Sequence, residues 1–348
     1  MNISLDPLAR CAALLAEADI EATVQSLVPC KAGGNNRTYR LETSVGAFAI
    51  KEYFRHEGDS RDRLATEFGF LRYAAKVAPG MAPAPLAMDS ACGHALYEFI
   101  EGHSYKQGEI TWAQVGSAVS FFNALNNPEA KEYARQLPPA SEACFSINEH
   151  LNLVDSRLDR LRAIEVSSDE DHAAQTLIEQ IHDLWLALND QVLAAYRHAG
   201  HDPAALLEPA QRCISPSDFG FHNALSGPDG TPRFLDFEYA GWDDHAKMTG
   251  DFFAQLEVPV PLEFFARFVR ATTEPFSRPD ELVERSYLLR PVCQIKWCCI
   301  ALNVFLSVNL SRRKFANPAL DEAALKQAQL AKATRLFQSI LSSDHGLH

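Results

Sequence analysis

Between Val24 and Ile100 short β-rich runs alternate with turn signals, and past Gly102 long amphipathic stretches take over. Strands repeat every second residue and helices every third or fourth, so the two parts of this chain need different layers. The first part predicts strands near residues 24–31, 37–43 and 47–53, a helix over about 60–77 carrying Leu64, Phe68, Leu71 and Ala75 at helical spacing, and strands near 86–88 and 95–100. The second predicts helices over 112–125, 147–164, 173–197, 262–272 and 280–310, the last broken near Pro291, with strand signals only around Cys213-Ile214 and 234–237. The expected fold class is α+β, with a small antiparallel-sheet lobe and one helix over residues 1–100 and a mainly helical lobe over 101–348. At 348 residues and 47% hydrophobic composition, the chain is long enough to fill two cores.

Charge and cysteine usage narrow the partners. Asp and Glu outnumber Lys and Arg by 45 to 32, and no Lys/Arg-rich run is present to track a phosphate backbone, which argues against nucleic acid. The eight cysteines include no CxxC pair, so they read as buried thiols of a reducing, cytoplasmic compartment instead of a zinc site or disulfide framework. Asp6, Arg10, Glu17 and Asp19 interrupt the apolar N-terminal segment, which suits an amphipathic helix better than a signal peptide. The longest apolar stretch, residues 297–308, includes Asn303 and is too short to span a bilayer, so no membrane partner is expected.

The chemistry concentrates in Ser217-Asp218-Phe219-Gly220-Phe221-His222-Asn223, with Asp236 thirteen residues beyond Asn223 in Phe234-Leu235-Asp236-Phe237-Glu238. Asp218 is placed to accept a proton from an attacking hydroxyl, while Asn223 and Asp236 offer the hard oxygens that magnesium takes. Each alone reads equally well as a turn residue or strand end; their joint spacing points to a phosphotransferase. His222 lies beside Asn223, but Asp218 already fills the position of the base, and a histidine in a structured loop more often satisfies backbone groups.

Upstream, Lys51 ends the run Ala47-Phe48-Ala49-Ile50 on the third expected strand, sixteen residues before Glu67 on the expected helix. A strand lysine paired with a helix glutamate aims an ammonium at nucleotide phosphates in kinase-like enzymes. The turn Gly33-Gly34-Asn35-Asn36-Arg37-Thr38 would let backbone amides approach those phosphates, with Arg37 or Thr38 assisting. It carries neither GxGxxG nor GxxxxGK[ST], and a plain hairpin turn is the alternative for this segment alone.

In this order, these residues resemble the aminoglycoside phosphotransferase and choline kinase superfamily over roughly residues 24–253. Leu235-Asp236-Phe237-Glu238-Tyr239-Ala240 is similar to the metal-binding segment of choline and ethanolamine kinases, and Gly241-Trp242-Asp243 to the aminoglycoside branch. The resemblance implies a two-lobed protein-kinase-like fold with ATP between the lobes, magnesium, and a small-molecule hydroxyl as acceptor. By position it makes Asp218 the base, Asn223 and Asp236 the metal ligands, Lys51 the phosphate-binding lysine and Glu67 its partner. Tyr97-Glu98-Phe99-Ile100 matches the hinge whose backbone holds adenine.

Two departures stand out. The family usually places a histidine two residues before the base, where this chain has Pro216, so Ser215 or Ser217 would have to support the loop. A longer spacing after Trp242 leaves Asp251 uncertain as the usual supporting aspartate. For the acceptor, Glu238, Trp242, Asp243, Asp244 and Trp297 are candidates, since aromatic faces and carboxylates suit an amine. The leading expectation is an ATP- and magnesium-dependent kinase of an amino alcohol, aminoglycoside or sugar derivative. The alternative is a nucleotide-binding protein of the same fold without turnover that acts through partners. Protein-kinase activity lacks an activation segment ending in Ala-Pro-Glu.

Overall fold

A computed structural model describes residues 7–30, 36–54, 61–317 and 319–342. Helix α1 (Pro7–Glu17) buries Cys11, Leu14 and Leu15, spaced three and four apart on one face. It lies against a five-stranded sheet of order β1-β2-β3-β5-β4, formed by β1 (Val24–Pro29), β2 (Arg37–Thr43), β3 (Gly46–Glu52), β4 (Pro85–Asp89) and β5 (His94–Glu98). All its pairings are antiparallel. Leu41, Ile50, Ala87 and Leu96 meet α1 across the interface. Helix α2 (Arg63–Val77) follows β3 and starts later than expected, because the Asp62 carboxylate caps it by accepting from Ala65 N at 2.9 Å. Its buried face includes Leu64, Phe70, Leu71, Tyr73 and Ala74, and Ala75 turns outward.

Helices dominate the remainder: α3 (Trp112–Asn126), α4 (Pro128–Tyr133), α5 (Ile147–Leu161), α6 (Asp169–His198), α7 (His245–Ala254), α8 (Phe265–Thr273), α9 (Pro279–Leu302), α10 (Ser307–Ala316) and α11 (Glu322–Ser342). Capping boxes at Thr111, Ser146 and Ser168 set the starts of α3, α5 and α6. Two small sheets complete this part. One pairs β7 (Cys213–Ser215) with β10 (Gly241–Asp243), and the other orders β6 (His103–Ser104), β8 (Ala224–Ser226) and β9 (Pro232–Phe234).

Two expectations are corrected, and one helix was not foreseen. The break near Pro291 does not occur: α9 runs through it and yields only at the 3-10 turn Asn303–Phe305. Proline removes one helical donor, but α9 is packed by α5, α6, α7, α8 and α11, which hold its axis. The strand expected over 234–237 stops at Phe234, since Asp236 adopts φ 64°, outside the β region. Helix α7 escaped prediction because it is buried nearly all round and therefore shows no amphipathic stripe. By length and composition Pro279–Phe305 would suffice to cross a membrane, a longer segment than 297–308, yet 72% of its most apolar window is buried inside the protein.

An aromatic core joins elements from before and after residue 100 and includes the phenylalanines of the 218–237 loops. Phe70 of α2 stacks on Phe237 at 4.7 Å, Phe121 of α3 on Phe234 at 5.1 Å, and Phe252 of α7 on Phe268 of α8 at 4.6 Å. Phe219 bridges Phe234 and Phe252 at 4.9 and 5.1 Å. The phenylalanines that alternate with Asp218, His222 and Asp236 are thus the anchors that fix those side chains.

At the head of α7, His245 is fully buried and shares hydrogen bonds with the Ser286 and Thr272 hydroxyls at 3.1 and 2.8 Å. Burial pushes its imidazole down to about 4. The folded state thus holds a neutral ring that the unfolded chain protonates near pH 6.5, so stability is present above that pH and is lost as pH falls towards 4. Chemical denaturation should show about 2 kcal/mol less stability at pH 5 than at pH 7 from this group, and His245→Gln should lack that part of the difference. An equal pH dependence in both proteins would refute the assignment.

Candidate active site

Lys51 is the second-to-last residue of β3, opposite Thr38 on one side and Ala95 on the other. Its ammonium, on a residue only 8% exposed, reaches Glu67 Oε2 and Asp236 Oδ1, both at 2.6 Å. Burial alone would discharge it, but the Asp236 and Glu67 carboxylates outweigh that and hold it well above the ordinary lysine range. Glu67 is itself held from three sides, since Oε2 also accepts from the Tyr53 hydroxyl at 2.7 Å and Oε1 accepts from Phe237 N at 3.3 Å. The strand lysine, the helix glutamate and the loop aspartate therefore meet at one point.

Asp236 keeps 38% of its side chain exposed. Burial and the Glu238 and Glu67 charges push its carboxyl above the usual range, against the pull of Lys51. Asn223 lies next to it because β8 and β9 form a hairpin in which Ala224 faces Phe234 and Leu235 N donates to Asn223 O at 2.8 Å. Asn223 spends its amide hydrogens on Asp218, at 2.9 Å to the carbonyl and 3.1 Å to Oδ2, which keeps its carboxamide oxygen as a donor to a cation. The hairpin thus brings a carboxamide residue and a carboxylate residue close along the backbone, and their oxygens are of the hard kind that fits magnesium.

Asp218 retains 34% exposure of its side chain, and its Oδ1 pairs with His222 Nε2 at 3.1 Å. Burial raises its carboxyl, but the His222 charge and the hydrogen bonds from His222 and Asn223 prevail and leave it below the usual carboxylate range. Ser217 before it is left-handed at φ 65°, a conformation costing a side-chain-bearing residue about 1 kcal/mol or more. The buried Ser215 hydroxyl accepts from Ser217 N at 3.0 Å and so supports the loop's backbone, one of the roles expected where Pro216 replaces a histidine.

The expected nucleotide turn is only partly described: Gly33, Gly34 and Asn35 lie outside the described residues. Asn36 is buried and faces the protein, donating from Nδ2 to Glu238 Oε2 at 2.7 Å and accepting from Phe54 N at 3.1 Å. Arg37 pairs with Glu52 at 3.6 Å, and Thr38 stands beside Lys51 on β2. At the end of β5, Glu98 accepts from Ala84 N at 3.1 Å; past it, the Phe99 ring lies under Arg40 at 4.4 Å, and Phe99 and Ile100 form a coil.

Two acceptor candidates are corrected to braces. Glu238 is fully buried, with Arg63 NH1 on Oε1 at 3.0 Å and Asn36 on Oε2, so it presents nothing to a ligand. Asp243 is fully buried too, accepting from Cys144 N, Asp244 N and Lys247 Nζ at 3.2, 2.9 and 2.6 Å. Asp244 belongs to the same buried layer, bonded to Arg285 at 2.7 Å and paired with His150 at 2.9 Å. Trp242 spends its indole N–H on Ala134 O at 3.1 Å. Trp297 donates to Asp251 at 2.8 Å, and Lys296 meets the same carboxylate at 2.7 Å. Sequence reasoning missed Arg63, Lys247 and Lys296. Arg63 and Lys296 pair with carboxylates distant in sequence, and Lys247, four residues after Asp243, itself lies on the unpredicted helix α7, so no local signal marked them.

The phosphotransferase enzyme family's model matches residues 26–273. No curated protein matches the chain. Among solved structures, a choline/ethanolamine kinase family protein from Mesorhizobium loti is similar with TM-score 0.59 at 20% identity, over 95% of this chain and 94% of its own. The choline kinase LicA from Streptococcus pneumoniae gives TM-score 0.56 at 14% identity over 96% and 100%. A spectinomycin phosphotransferase solved with ADP and spectinomycin gives 0.57 at 11% over 96% and 99%. At these identities the likeness is one of fold, and it agrees with the antiparallel sheet and mainly helical remainder described above. With the family model spanning most of its length, this chain belongs to the phosphotransferase enzyme family and has its kinase-like fold.

Proposed function

We propose that this protein is an ATP- and magnesium-dependent kinase that phosphorylates the hydroxyl of a small molecule, an amino alcohol, aminoglycoside or sugar derivative. The observation that carries the reading is the buried Lys51 ammonium shared by Glu67 and Asp236, beside a hairpin that sets Asn223 next to Asp236. The ADP and AMP bound in solved structures of this fold support the choice of nucleotide. Residues 1–100 would serve as the nucleotide lobe and 101–348 as the catalytic and acceptor lobe. The turn from Gly33 to Thr38 would meet the phosphates, and the backbone at Glu98, Phe99 and Ile100 would meet adenine.

Asn223 and Asp236 would hold magnesium, which when bound neutralises charge on the phosphates. Lys51 supplies a fixed positive charge for the phosphates, kept from tumbling by Glu67. Asp218 orients the acceptor hydroxyl and takes its proton as the new oxygen–phosphorus bond forms and the bond to the ADP oxygen breaks. Held below the usual carboxylate range, its carboxyl is ionised at neutral pH. No covalent enzyme intermediate is needed. Asp243, buried and bonded to Lys247, would brace the core and not meet the acceptor.

Mass-spectrometric screening of choline, ethanolamine, amino sugars and aminoglycosides with magnesium and ATP should reveal one phosphorylated acceptor class. On that acceptor Asp218→Asn should lower kcat by about 10²–10⁴-fold, the usual contribution of a general base, while ATP affinity by calorimetry stays within a few-fold. Undiminished turnover would remove Asp218 from the role of base. ATP binding without transfer to any member of the panel would favour the partner-directed alternative.

The Arg63–Glu238–Asn36 chain ties the start of α2 and the end of the nucleotide turn to the loop after β9. Cutting a buried charge-assisted bond costs about 1.5–3 kcal/mol. Arg63→Met and Asn36→Ala should therefore each raise KM for ATP by roughly tenfold or more. An unchanged KM in both would show that this tie does not shape the nucleotide site.

A further inference from the structure

The histidine expected two residues before the base is absent, and Pro216 stands in its place. Ser215 supports the backbone of the loop but makes no bond to the Asp218 carboxylate among the described contacts. The carboxylate is gripped instead from the other end of the loop, where His222 meets Oδ1 and Asn223 meets Oδ2. His222 is seated on the short 3-10 turn Phe221–Asn223, four residues after Asp218, and its side chain is 13% exposed.

The ring's position is fixed by more than this one bond. Phe221, the preceding residue, is fully buried and packs on Phe234 and Phe252. Gly220 leaves the room that the ring occupies: a Cβ at 220 would fall 2.8 Å from His222 Nδ1 and 3.0 Å from Cε1. The glycine is needed for space and not for its backbone angle, since its φ of 167° is open to any residue. His222 Nδ1 is buried without a hydrogen-bond partner among the described residues, so the ring's one polar anchor in the described structure is Asp218.

We propose that His222 is the positioning residue for the base: its Nε2–H holds Oδ1 of Asp218 and turns the carboxylate towards the acceptor, a support delivered from downstream of the base instead of upstream. The Gly220-x-His222 pair is the sequence mark of this arrangement. The inference rests on the reading of Asp218 as the base. His222 transfers no proton in it; it sets the direction of the carboxylate, and a misdirected catalytic group costs about 10²-fold for a displacement near 1 Å.

The test compares wild type, His222→Ala, His222→Gln and Gly220→Ala on the acceptor found by screening, with melting temperature followed in parallel. His222→Ala should lose roughly 10- to 100-fold in kcat with KM for ATP unchanged, and His222→Gln, which keeps a donor on a side chain of similar reach, should recover most of it. Gly220→Ala, which displaces the ring but leaves it in the chain, should reproduce the alanine variant's loss. Wild-type kcat in His222→Ala, or equal losses in the alanine and glutamine variants, would overturn the inference. If wild type phosphorylates nothing, the functional reading fails separately, and the ring nitrogens decide this bond: in long-range proton–nitrogen NMR spectra the His222 Nε2 signal should shift in Asp218→Ala relative to wild type. An unchanged signal would refute the contact.

Discussion

The architecture of the site depends on one buried ammonium. Lys51 sits between carboxylates from α2 and from the loop after β9, elements also joined by the Arg63–Glu238 pair, the Phe237 N–Glu67 bond and the Phe70–Phe237 stack. A charge in that position is tolerable only with its partners in place, and removing one partner of a buried pair typically costs about 3–5 kcal/mol. The triad thus makes the relative placement of sheet, helix and loop a condition of stability. The same condition holds the ammonium against Asp236, in the loop whose backbone pairs with Asn223 through Leu235.

Around that point, charges are neutralised in layers. Glu238 is tied to Arg63 and Asn36, Asp243 to Lys247, Asp244 to Arg285 and His150, and Asp251 to Lys296 and Trp297. Asp218 and Asp236 differ from these in keeping about a third of their side chains exposed. A carboxylate buried and saturated contributes rigidity, whereas one held by a few bonds and open on one side can meet a ligand. That contrast separates the candidate chemistry from its scaffold.

The strands of the first sheet, α2, Lys51 with Glu67, and the 218–236 motif were legible because each announces itself over a few residues or through a known spacing. Helix α7 was not, since a helix buried on every side has no periodic polar face. Glu238 and Asp243 were misread for a related reason: an acidic residue near a functional loop looks alike in sequence whether it faces solvent or a buried arginine or lysine, and Arg63 lies 175 residues from Glu238. His222 was set aside because Asp218 filled the catalytic position, and its bond to that aspartate, with the ring seated over Gly220, is visible only in the fold.

The most direct test of the account is calorimetric titration of ATP into wild type and Asp236→Asn, each with and without magnesium. The account predicts that magnesium strengthens ATP binding in wild type and that the strengthening is lost in Asp236→Asn. No ATP binding by wild type, or a magnesium effect of equal size in both proteins, would contradict a nucleotide–metal site built on Lys51, Asn223 and Asp236.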